Sequence, residues 1–344
     1  MKRKLTALAL QGGGALGAYE YGVLKAFYEQ GNFQPDVVTG VSIGAFAAAV
    51  LVGAKDDPMS ALGQMWERLT LPVTPFLPAA VQANLAVFGN DAMYRIKPDY
   101  LAAPWLASSV YDTGPLRESL LQWVDFDRLN NSSTFVAVTA VNVETGELME
   151  FNNRQGLSVE HIIASGSLPP AFPPTTIDGQ VYWDGGLVSN TPLRAAINAL
   201  EPWAPDAADV SRELIVIDAF RQTAPVPEQF MDVLERTFEI IFASKLKLDL
   251  KLFHAVNGMI ELMGEIDQAL PADSPVRQLP AYRKLLNYRH IDRLLVVSNT
   301  HNIDIGGPAD FSRAAIQQRI ELGYRDGRDT LAAAHAGKHR QNTQ

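Results

Sequence analysis

The sequence predicts an α/β fold in which a mainly parallel central sheet is flanked by helices. Three stretches support this prediction. Residues 5–49 follow the order strand, glycine turn, helix, strand, sharp turn and helix, and β-α-β units are normally parallel and right-handed. Residues 43–52 are almost entirely apolar and rich in alanine, which indicates a helix buried on all sides. The stretch 213–219 contains four consecutive apolar residues at 214–217, as in strands whose two faces are both covered.

Length and composition are those of a globular protein with a large core. The chain has 344 residues, of which 47% are hydrophobic and 19% charged, and this favours one large domain. Its formal net charge of −9 argues against broad electrostatic binding to nucleic acid, so we expect no nucleic-acid partner. The absence of cysteine excludes disulfides, thiolate metal sites and a cysteine nucleophile.

The first residues superficially resemble a secretory signal peptide, because basic residues precede apolar ones. The apolar run stops at Gln11, and no small-residue cleavage site precedes the glycines, so a first β-strand is the better interpretation. No run reaches the roughly 18 apolar residues of a membrane span. We therefore expect a soluble cytoplasmic protein, and transient peripheral contact with a membrane surface stays open.

The N-terminal elements follow from periodicity and turn residues. An apolar strand at 5–10 precedes the glycines, and a helix at 18–30 ends at Gly31, a residue favoured just after helices. A second strand at 37–39 leads into the buried helix, and a further helix covers 60–69.

The next part of the chain is less regular. Residues 71–110 are rich in proline and aromatic residues and show little period, so they are expected to be an irregular, partly helical cover over the site or a long surface excursion. A helix then starts near Pro115, which suits a first helical turn. Strands at 135–143 and 148–152 flank a hairpin signal at 144–147.

The C-terminal elements complete the sheet and its helices. We predict a helix at 159–167, a strand at 181–183 ending at Asp184, a helix capped by Asn190-Thr191-Pro192 and running to about Leu200, a helical insertion at 227–270, a strand at 294–298 and a helix from Ser312 to about Ala334.

The helical insertion carries both apolar and basic residues. Its segment from Ser244, SKLKLDLKLF, alternates between the two kinds. The lysines could meet acidic lipid head groups, or the helix could pack one side on the core and leave its lysines in solvent. The apolar residues at helical spacing are Phe230, Leu234, Phe238, Ile241 and Phe242.

The glycine turn Gly12-x-Gly14-x-x-Gly17 formally matches a dinucleotide-binding fingerprint. That fingerprint requires an acidic residue at the end of the second strand, whereas Asp36 precedes the strand at 37–39. A cofactor site is therefore not expected. Glycines leave backbone N–H groups free to point into a site, and the following helix adds positive potential, so the turn suits a developing oxyanion.

The second turn, Gly40-x-Ser42-x-Gly44, is typical of a nucleophile elbow between a strand and a helix. Small residues are needed two positions before and after the serine because the strand and the helix pass close together. Ser42 would also lie at the N-terminus of the buried helix, whose dipole favours an alkoxide. Ser42 is thus the candidate nucleophile.

Two candidates for the base stay open at this point. A triad in the order serine, acid, histidine would use His301, which follows the last strand and is the only well-placed histidine. The alternative is Asp184, which leaves a strand end and precedes Gly185 and Gly186. These glycines would let the carboxylate approach another backbone closely.

The combination and order of these motifs resemble the patatin-like phospholipases, in particular bacterial members. The matching segments are GGGALGAYEYGVL, PDVVTGVSIGA, ASGSLPPAFPP and YWDGGLVSNTPL. The resemblance implies a three-layer fold and hydrolysis of lipid carboxyl esters, of phospholipase A, lysophospholipase or esterase type. It further implies a dyad of Ser42 and Asp184 without histidine, an acyl-serine intermediate and no metal ion or cofactor. The residues it assigns to the oxyanion hole are Gly12, Gly13 and Gly14, and those it assigns to motif support are Gly17, Gly40, Gly44, Gly185 and Gly186.

The resemblance also suggests how the chain is divided. It covers residues 5–220 as the catalytic domain, followed by an insertion at 225–290 packed on the same domain, a closing strand and helix at 291–334, and a flexible tail at 335–344. The acyl pocket is expected between the cover at 71–110 and the insertion. One position departs from the family: many members carry Lys or Arg where this chain has Leu16.

That departure keeps other functions open. A different esterase, a thioesterase or a storage-polyester depolymerase could use the same dyad, and a non-catalytic lipid-binding protein could retain the fold. Head group, chain length, positional preference and oligomeric state are not predicted by the sequence.

Overall fold

The computed structural model describes residues 3–31, 33–73, 76–78, 81–82, 84–201, 210–221, 223–228, 230–299 and 307–341. The strands are β1 (Arg3–Leu10), β2 (Val37–Gly40), β3 (Gly89–Asn90), β4 (Tyr94–Ile96), β5 (Tyr111–Asp112), β6 (Phe135–Asn142), β7 (Leu148–Asn152), β8 (Thr175–Ile177), β9 (Gln180–Asp184), β10 (Val210–Asp218) and β11 (Arg293–Ser298). The helices are α1 (Gly17–Glu29), α2 (Ile43–Gly53), α3 (Pro58–Leu69), α4 (Pro98–Ala102), α5 (Gly114–Trp123), α6 (Phe126–Asn131), α7 (Val159–Ser165), α8 (Leu193–Leu200), α9 (Phe230–Ala269), α10 (Pro280–Leu286) and α11 (Arg313–Gln341).

One mixed, mainly parallel sheet organises the molecule. Its strand order is β11-β10-β1-β2-β6-β9-β8, with β7 also paired to β6. The pairs from β11 to β6 are all parallel, while β7, β8 and β9 pair antiparallel. The predicted fold class is confirmed.

Strand β1 lies in the middle of this sheet and buries both of its faces. Leu8 and Leu10 point into one hydrophobic core together with α1, α2, α3 and part of α11. Leu5, Ala7 and Ala9 point into a second core with α8 and part of α9. Because side chains alternate along a strand, one apolar run supplies both cores, which explains its lack of polar alternation. Helices therefore cover both faces, and the site lies where β1 and β2 end.

Helix α2 is buried almost completely, as its all-round apolarity predicts. Val52 is its one residue outside the buried class. Each alanine along it is in the core, so the helix passes close to the sheet and can carry Ser42 directly above the strand ends.

Three regions differ in detail from the sequence prediction. Within and directly after the proline-rich part, β3, β4 and β5 form a small antiparallel sheet that the sequence pattern does not predict. The insertion is dominated by one helix of 40 residues, α9. The last helix continues to Gln341, beyond the predicted end near Ala334. Among the described residues, no helix is both long and apolar enough to cross a membrane.

Candidate active site

Ser42 occupies a strained turn between β2 and α2. Its backbone angles are φ 56° and ψ −126°, a region that residues with a side chain rarely adopt. The Ser42 N–H donates to both the carbonyl oxygen and Oγ of Ser165, at 3.0 and 3.1 Å. Ser165 Oγ in turn donates to the Thr139 carbonyl at 2.7 Å. These bonds hold the serine at the tip of the elbow, half-buried and next to the helix N-terminus.

The two glycines of the elbow allow the strand and the helix to pass in contact. A Cβ at Gly40 would clash with the Gly44 carbonyl. A Cβ at Gly44 would lie 2.5 Å from the Gln11 carbonyl oxygen and 2.6 Å from that of Leu10. Any larger residue would push α2 away from the sheet, so the predicted need for small residues at these positions is confirmed.

Asp184 is buried at the end of β9 and faces Ser42. Its Oδ1 accepts the Gly186 N–H at 2.7 Å. Burial raises the pKa of Asp184 to about 7, although the nearby Ser42 side chain, the hydrogen bond from Gly186 and the charge of Lys245 each oppose the rise. A carboxylate with this pKa can exchange a proton near neutral pH.

The two glycines after Asp184 let its turn lie against neighbouring backbone. A Cβ at Gly185 would clash with the Thr139 carbonyl on β6. A Cβ at Gly186 would lie 2.9 Å from Asn190 Oδ1 and 3.0 Å from Asp184 Oδ1. The close approach predicted for this motif is therefore observed.

The glycine turn lies beside the elbow. A Cβ at Gly12 would lie 3.0 Å from Ser42 Cβ, and the Gly12 N–H already donates to the Asn190 carbonyl at 3.2 Å. Within the described part of the chain, the N–H groups of Gly13 and Gly14 donate to no protein acceptor. Gly14 has φ +55°, and a Cβ there would lie 2.5 Å from the Pro308 carbonyl oxygen. Two of the three predicted oxyanion donors thus have free N–H groups, while the N–H of Gly12 is occupied.

Gly17 completes the motif in a packing role. A Cβ at this position would lie 2.9 Å from Ile43 Cγ2. Helix α1 can therefore lie directly against the start of α2, which brings the N-termini of both helices toward the same site.

Asn190 belongs to the site, although the sequence assigned it to a helix cap. The N-cap of α8 is Pro192, and no side chain caps that helix. Asn190 Nδ2 instead donates to the Gly12 carbonyl at 3.0 Å. The cap prediction was wrong because the amide finds its acceptor on the glycine turn, far away in sequence, and there it joins that turn to the segment after Asp184.

Lys245 is a second residue that sequence reasoning missed. Its Nζ donates to the carbonyls of Gly186 and Leu187, at 2.7 and 2.6 Å. Burial lowers the pKa of Lys245, while Asp184 and Asp249 oppose that change. The side chain of Lys245 therefore binds the turn that follows Asp184. The sequence offers one signal for this: Lys245 lies three residues after Phe242 and therefore on nearly the same side of the helix.

Two described histidines, His161 and His290, have partners of their own elsewhere in the structure. His161 caps α7, where its Nδ1 accepts the Ser158 N–H at 3.0 Å, and His290 lies near Asp292 and Glu261 on the far part of the insertion. His301 lies outside the described residues. In the part of the chain that the structure covers, no group of three acidic or histidine side chains is arranged to hold a metal ion.

Comparison with known proteins agrees with the motifs. The profile of the patatin-like phospholipase family matches residues 8–197, more than half of the chain. The chain is 26% identical over 198 residues to the lysophospholipase NTE1 of Kluyveromyces lactis, which covers 54% of this chain and 11% of that protein. It is 27% identical over 192 residues to patatin-like phospholipase domain-containing protein 7 of Rattus norvegicus, covering 55% of this chain and 12% of that protein. The chain thus spans little more than a tenth of the length of these relatives.

Solved structures with a related arrangement are more distant. Human GIVD cytosolic phospholipase A2 aligns with a TM-score of 0.47 at 12% identity, covering 96% of this chain and 59% of that one. VipD from Legionella pneumophila aligns with a TM-score of 0.42 at 13% identity, covering 96% of this chain and 67% of that one. The family assignment rests on the sequence match across the elbow, the glycine turn and the Asp184 turn: this chain belongs to the patatin-like phospholipase family.

Proposed function

We propose that this chain is a serine acyl hydrolase that cleaves lipid carboxyl esters with a dyad of Ser42 and Asp184. One observation carries the proposal: a strained elbow serine lies beside a buried carboxylate whose pKa is near neutral. A serine in an ordinary tight turn has no need of either feature. Family membership and the names of the relatives support the same class of substrate.

In the proposed first half-reaction, Asp184 accepts the proton of Ser42 Oγ as the oxygen attacks the ester carbonyl carbon. The tetrahedral oxyanion accepts hydrogen bonds from the N–H groups of Gly13 and Gly14, and the N-terminus of α2 adds positive potential. The alcohol or lysolipid leaves with the proton from Asp184, and an acyl group remains on Ser42.

In the second half-reaction, Asp184 takes a proton from a water molecule as the water oxygen attacks the acyl-serine carbonyl. The bond between the acyl group and Ser42 Oγ then breaks, Asp184 returns the proton to Oγ, and the fatty acid is released. A carboxylate with an ordinary pKa near 4 would be a weak base at neutral pH. The burial that raises the pKa of Asp184 to about 7 brings it close to the working pH, where general-base catalysis is most effective.

The substrate side of the proposal rests on apolar groups beside the glycine turn. A Cβ at Gly13 would lie 3.1 Å from Phe220 Cζ, and the Phe220 and Phe242 rings are 5.8 Å apart. Phe242 belongs to the insertion, so we propose that the insertion forms one wall of the acyl pocket and the cover at 71–110 another. An aromatic wall suits an acyl chain because burying such a chain is favourable in proportion to its apolar area.

Contact with a membrane surface is part of this proposal. Leu187 and Val188 directly follow the Asp184 turn and are 39% and 48% exposed. Apolar side chains in this position would meet a lipid surface as the substrate enters. Loss of vesicle co-sedimentation in a Leu187→Ser, Val188→Ser variant is the expected result, and unchanged binding would remove this part of the proposal.

A second candidate keeps the dyad but changes the substrate. Leu16 is almost fully buried, so the position where many members carry a cation offers none for a phosphate. This favours esters without a phosphate group, such as neutral lipid esters, thioesters or storage polyesters. Parallel turnover of a phospholipid, a neutral ester and an acyl thioester would separate the two candidates.

The test of the proposed function compares ester hydrolysis by the wild type with two variants, Ser42→Ala and Asp184→Asn. Each should lower kcat by about a thousandfold or more, as for other serine enzymes that lose a catalytic group. Ser133→Ala and Asp91→Asn, at exposed positions, serve as matched controls and should keep wild-type rates. Near-normal turnover by Asp184→Asn would refute the dyad. Lipid binding without turnover by the wild type would favour a non-catalytic lipid-binding protein.

A further inference from the structure

Helix α9 exposes an apolar stripe along the side that faces away from the body of the protein. The opposite side is anchored, with Leu246 and Phe253 buried in the core beneath the sheet. The stripe residues are between 39% and 66% exposed: Leu248, Leu252, Met259, Leu262 and Ile266. Exposed apolar stripes of this length usually mark an interaction surface.

The spacing of the stripe points to another helix as its partner. With the exposed Ala255 included, its positions run 248, 252, 255, 259, 262 and 266, so steps of four and three residues alternate. This spacing places the stripe residues in one narrow line along the helix, called the seam below, and is the pattern of a coiled coil. Binding to a flat lipid surface does not require apolar residues in so narrow and regular a line.

The charges beside the seam specify the orientation of that helix. Lys251 and Glu265 are both exposed on the same flank, each seven residues from Gly258. If two copies of α9 pair antiparallel about a two-fold axis beside Gly258, Lys251 of each copy lies opposite Glu265 of the other. In a parallel, in-register pair Lys251 would instead face Val256 of the other copy, so it would meet no opposite charge.

The apolar residues pair about residue 257, one residue or about 1.5 Å along the helix from the midpoint of the charge pair, so one antiparallel arrangement accommodates both. In the antiparallel pair, Leu248 faces Ile266 of the second copy, Leu252 faces Leu262, and Ala255 faces Met259. Each layer occurs twice by symmetry, so every residue of the seam finds an apolar partner. A Cβ at Gly258 would meet nothing within 4 Å, so the two helices can approach closely at the axis.

We propose that the occupant of this stripe is a second copy of the chain, bound as an antiparallel pair of α9 helices. An anionic lipid surface fits less well, because Glu261 and Glu265 are exposed beside the C-terminal half of the stripe. The inference is independent of the proposed catalytic function, since it rests on residues outside the dyad and its supporting turns.

Analytical ultracentrifugation with charge variants tests the pairing. The wild type should sediment as a dimer, Leu252→Glu as a monomer, and Lys251→Glu with a dissociation constant raised about tenfold or more. The double variant Lys251→Glu, Glu265→Lys exchanges the charges and should recover the dimer. A monomeric wild type, or a double variant no better than the single one, would overturn the proposal. A monomer whose vesicle binding is lost in Leu252→Glu would identify a lipid surface as the occupant instead.

A cysteine cross-link tests the position of the axis. Because the chain has no cysteine, Gly258→Cys introduces a single thiol, which should oxidise rapidly to a disulfide-linked dimer. Gly264→Cys is the matched control: a Cβ there also meets nothing within 4 Å, but the position lies on the side of α9 away from the seam. Equal cross-linking of the two variants would contradict the antiparallel register. The circular dichroism spectrum of each variant reports independently that it is folded.

Discussion

The pH dependence of the enzyme should change when Lys245 is replaced. The substitution Lys245→Met keeps a long apolar stem but removes the charge and the hydrogen bonds to the carbonyls of Gly186 and Leu187. The charge of Lys245 acts to lower the pKa of Asp184, so its removal raises that pKa further. Asp184, the proposed base, would then be ionised over a narrower, more alkaline pH range.

The size of the effect follows from the titration of Asp184. With a pKa of about 7, only about 1% of the carboxylate is ionised at pH 5 and about 90% at pH 8, so kcat/KM of the wild type should fall about tenfold for each pH unit below 7. For every pH unit by which Lys245→Met shifts this fall to higher pH, kcat/KM at pH 6 should drop by a further factor of about ten. The rate at pH 9 or above should change least.

The assay is kcat/KM for a soluble ester between pH 5 and 10, because this quantity reports the free enzyme. Lys247→Met, an exposed lysine on the same helix, is the control for charge and helix propensity, and Lys245→Arg retains the positive charge. If kcat/KM of the wild type falls only below about pH 4, the raised pKa of Asp184 is refuted. If kcat/KM falls at the same pH in Lys245→Met as in the wild type, the electrostatic role of this lysine is refuted.

Three further predictions concern the supports of the site. Gly44→Ala should destabilise the protein by about 3 kcal/mol in denaturant unfolding because its Cβ would overlap strand carbonyls, whereas Gly264→Ala should be neutral or stabilising. Asn190→Asp should lower kcat more than Asn190→Ala, because it places a carboxylate oxygen where the amide now donates to the Gly12 carbonyl. Asp184→Asn should unfold at a higher temperature than the wild type at pH 8, since a folded pKa raised from about 4 to about 7 costs up to about 4 kcal/mol once the carboxylate is ionised.

Each of these three predictions would be contradicted by one specific result. Equal stability of Gly44→Ala and Gly264→Ala would mean that α2 can move away from the sheet. Equal activity of the two Asn190 variants would mean that the amide does not hold the glycine turn. For Asp184→Asn, the stabilisation should disappear near pH 3, where the wild-type carboxyl is largely protonated in the folded and in the unfolded state. A gain that is the same at pH 3 and pH 8 would have another cause than the buried charge.

The central fold was predictable from the sequence because local signals agree with one another there. The apolar strand β1, the glycines around Ser42 and the alanine-rich α2 each specify one arrangement, and together they define the elbow. Strand β9 ending at Asp184 follows from the same reasoning, since a short apolar strand meets two glycines.

The rest depended on contacts between residues distant in sequence. Strands β3, β4 and β5 are only two or three residues long, too short to show a two-residue period. Asn190 looked like a helix cap because that is the commonest local use of an asparagine before a helix. Its actual acceptor, the carbonyl of Gly12, is brought near only by the folded sheet.

Lys245 illustrates the same limit within a helix. The alternation of lysine and leucine after Ser244 suggested a solvated or lipid-facing edge. The 3.6-residue period of α9 instead turns Lys245 toward the same side as Phe242, while Lys247 and Lys251 remain exposed. Only the position of the Asp184 turn reveals what that one lysine binds.

The most direct test of the Ser42–Asp184 dyad is mass spectrometry after treatment with a fluorophosphonate probe, comparing the wild type with Asp184→Asn at pH 8. We expect a single adduct, on a peptide containing Ser42, whose formation is abolished or slowed by orders of magnitude in the variant. Labelling of Ser42 at the same rate in both proteins, or no adduct on folded wild type, would contradict a serine activated by Asp184.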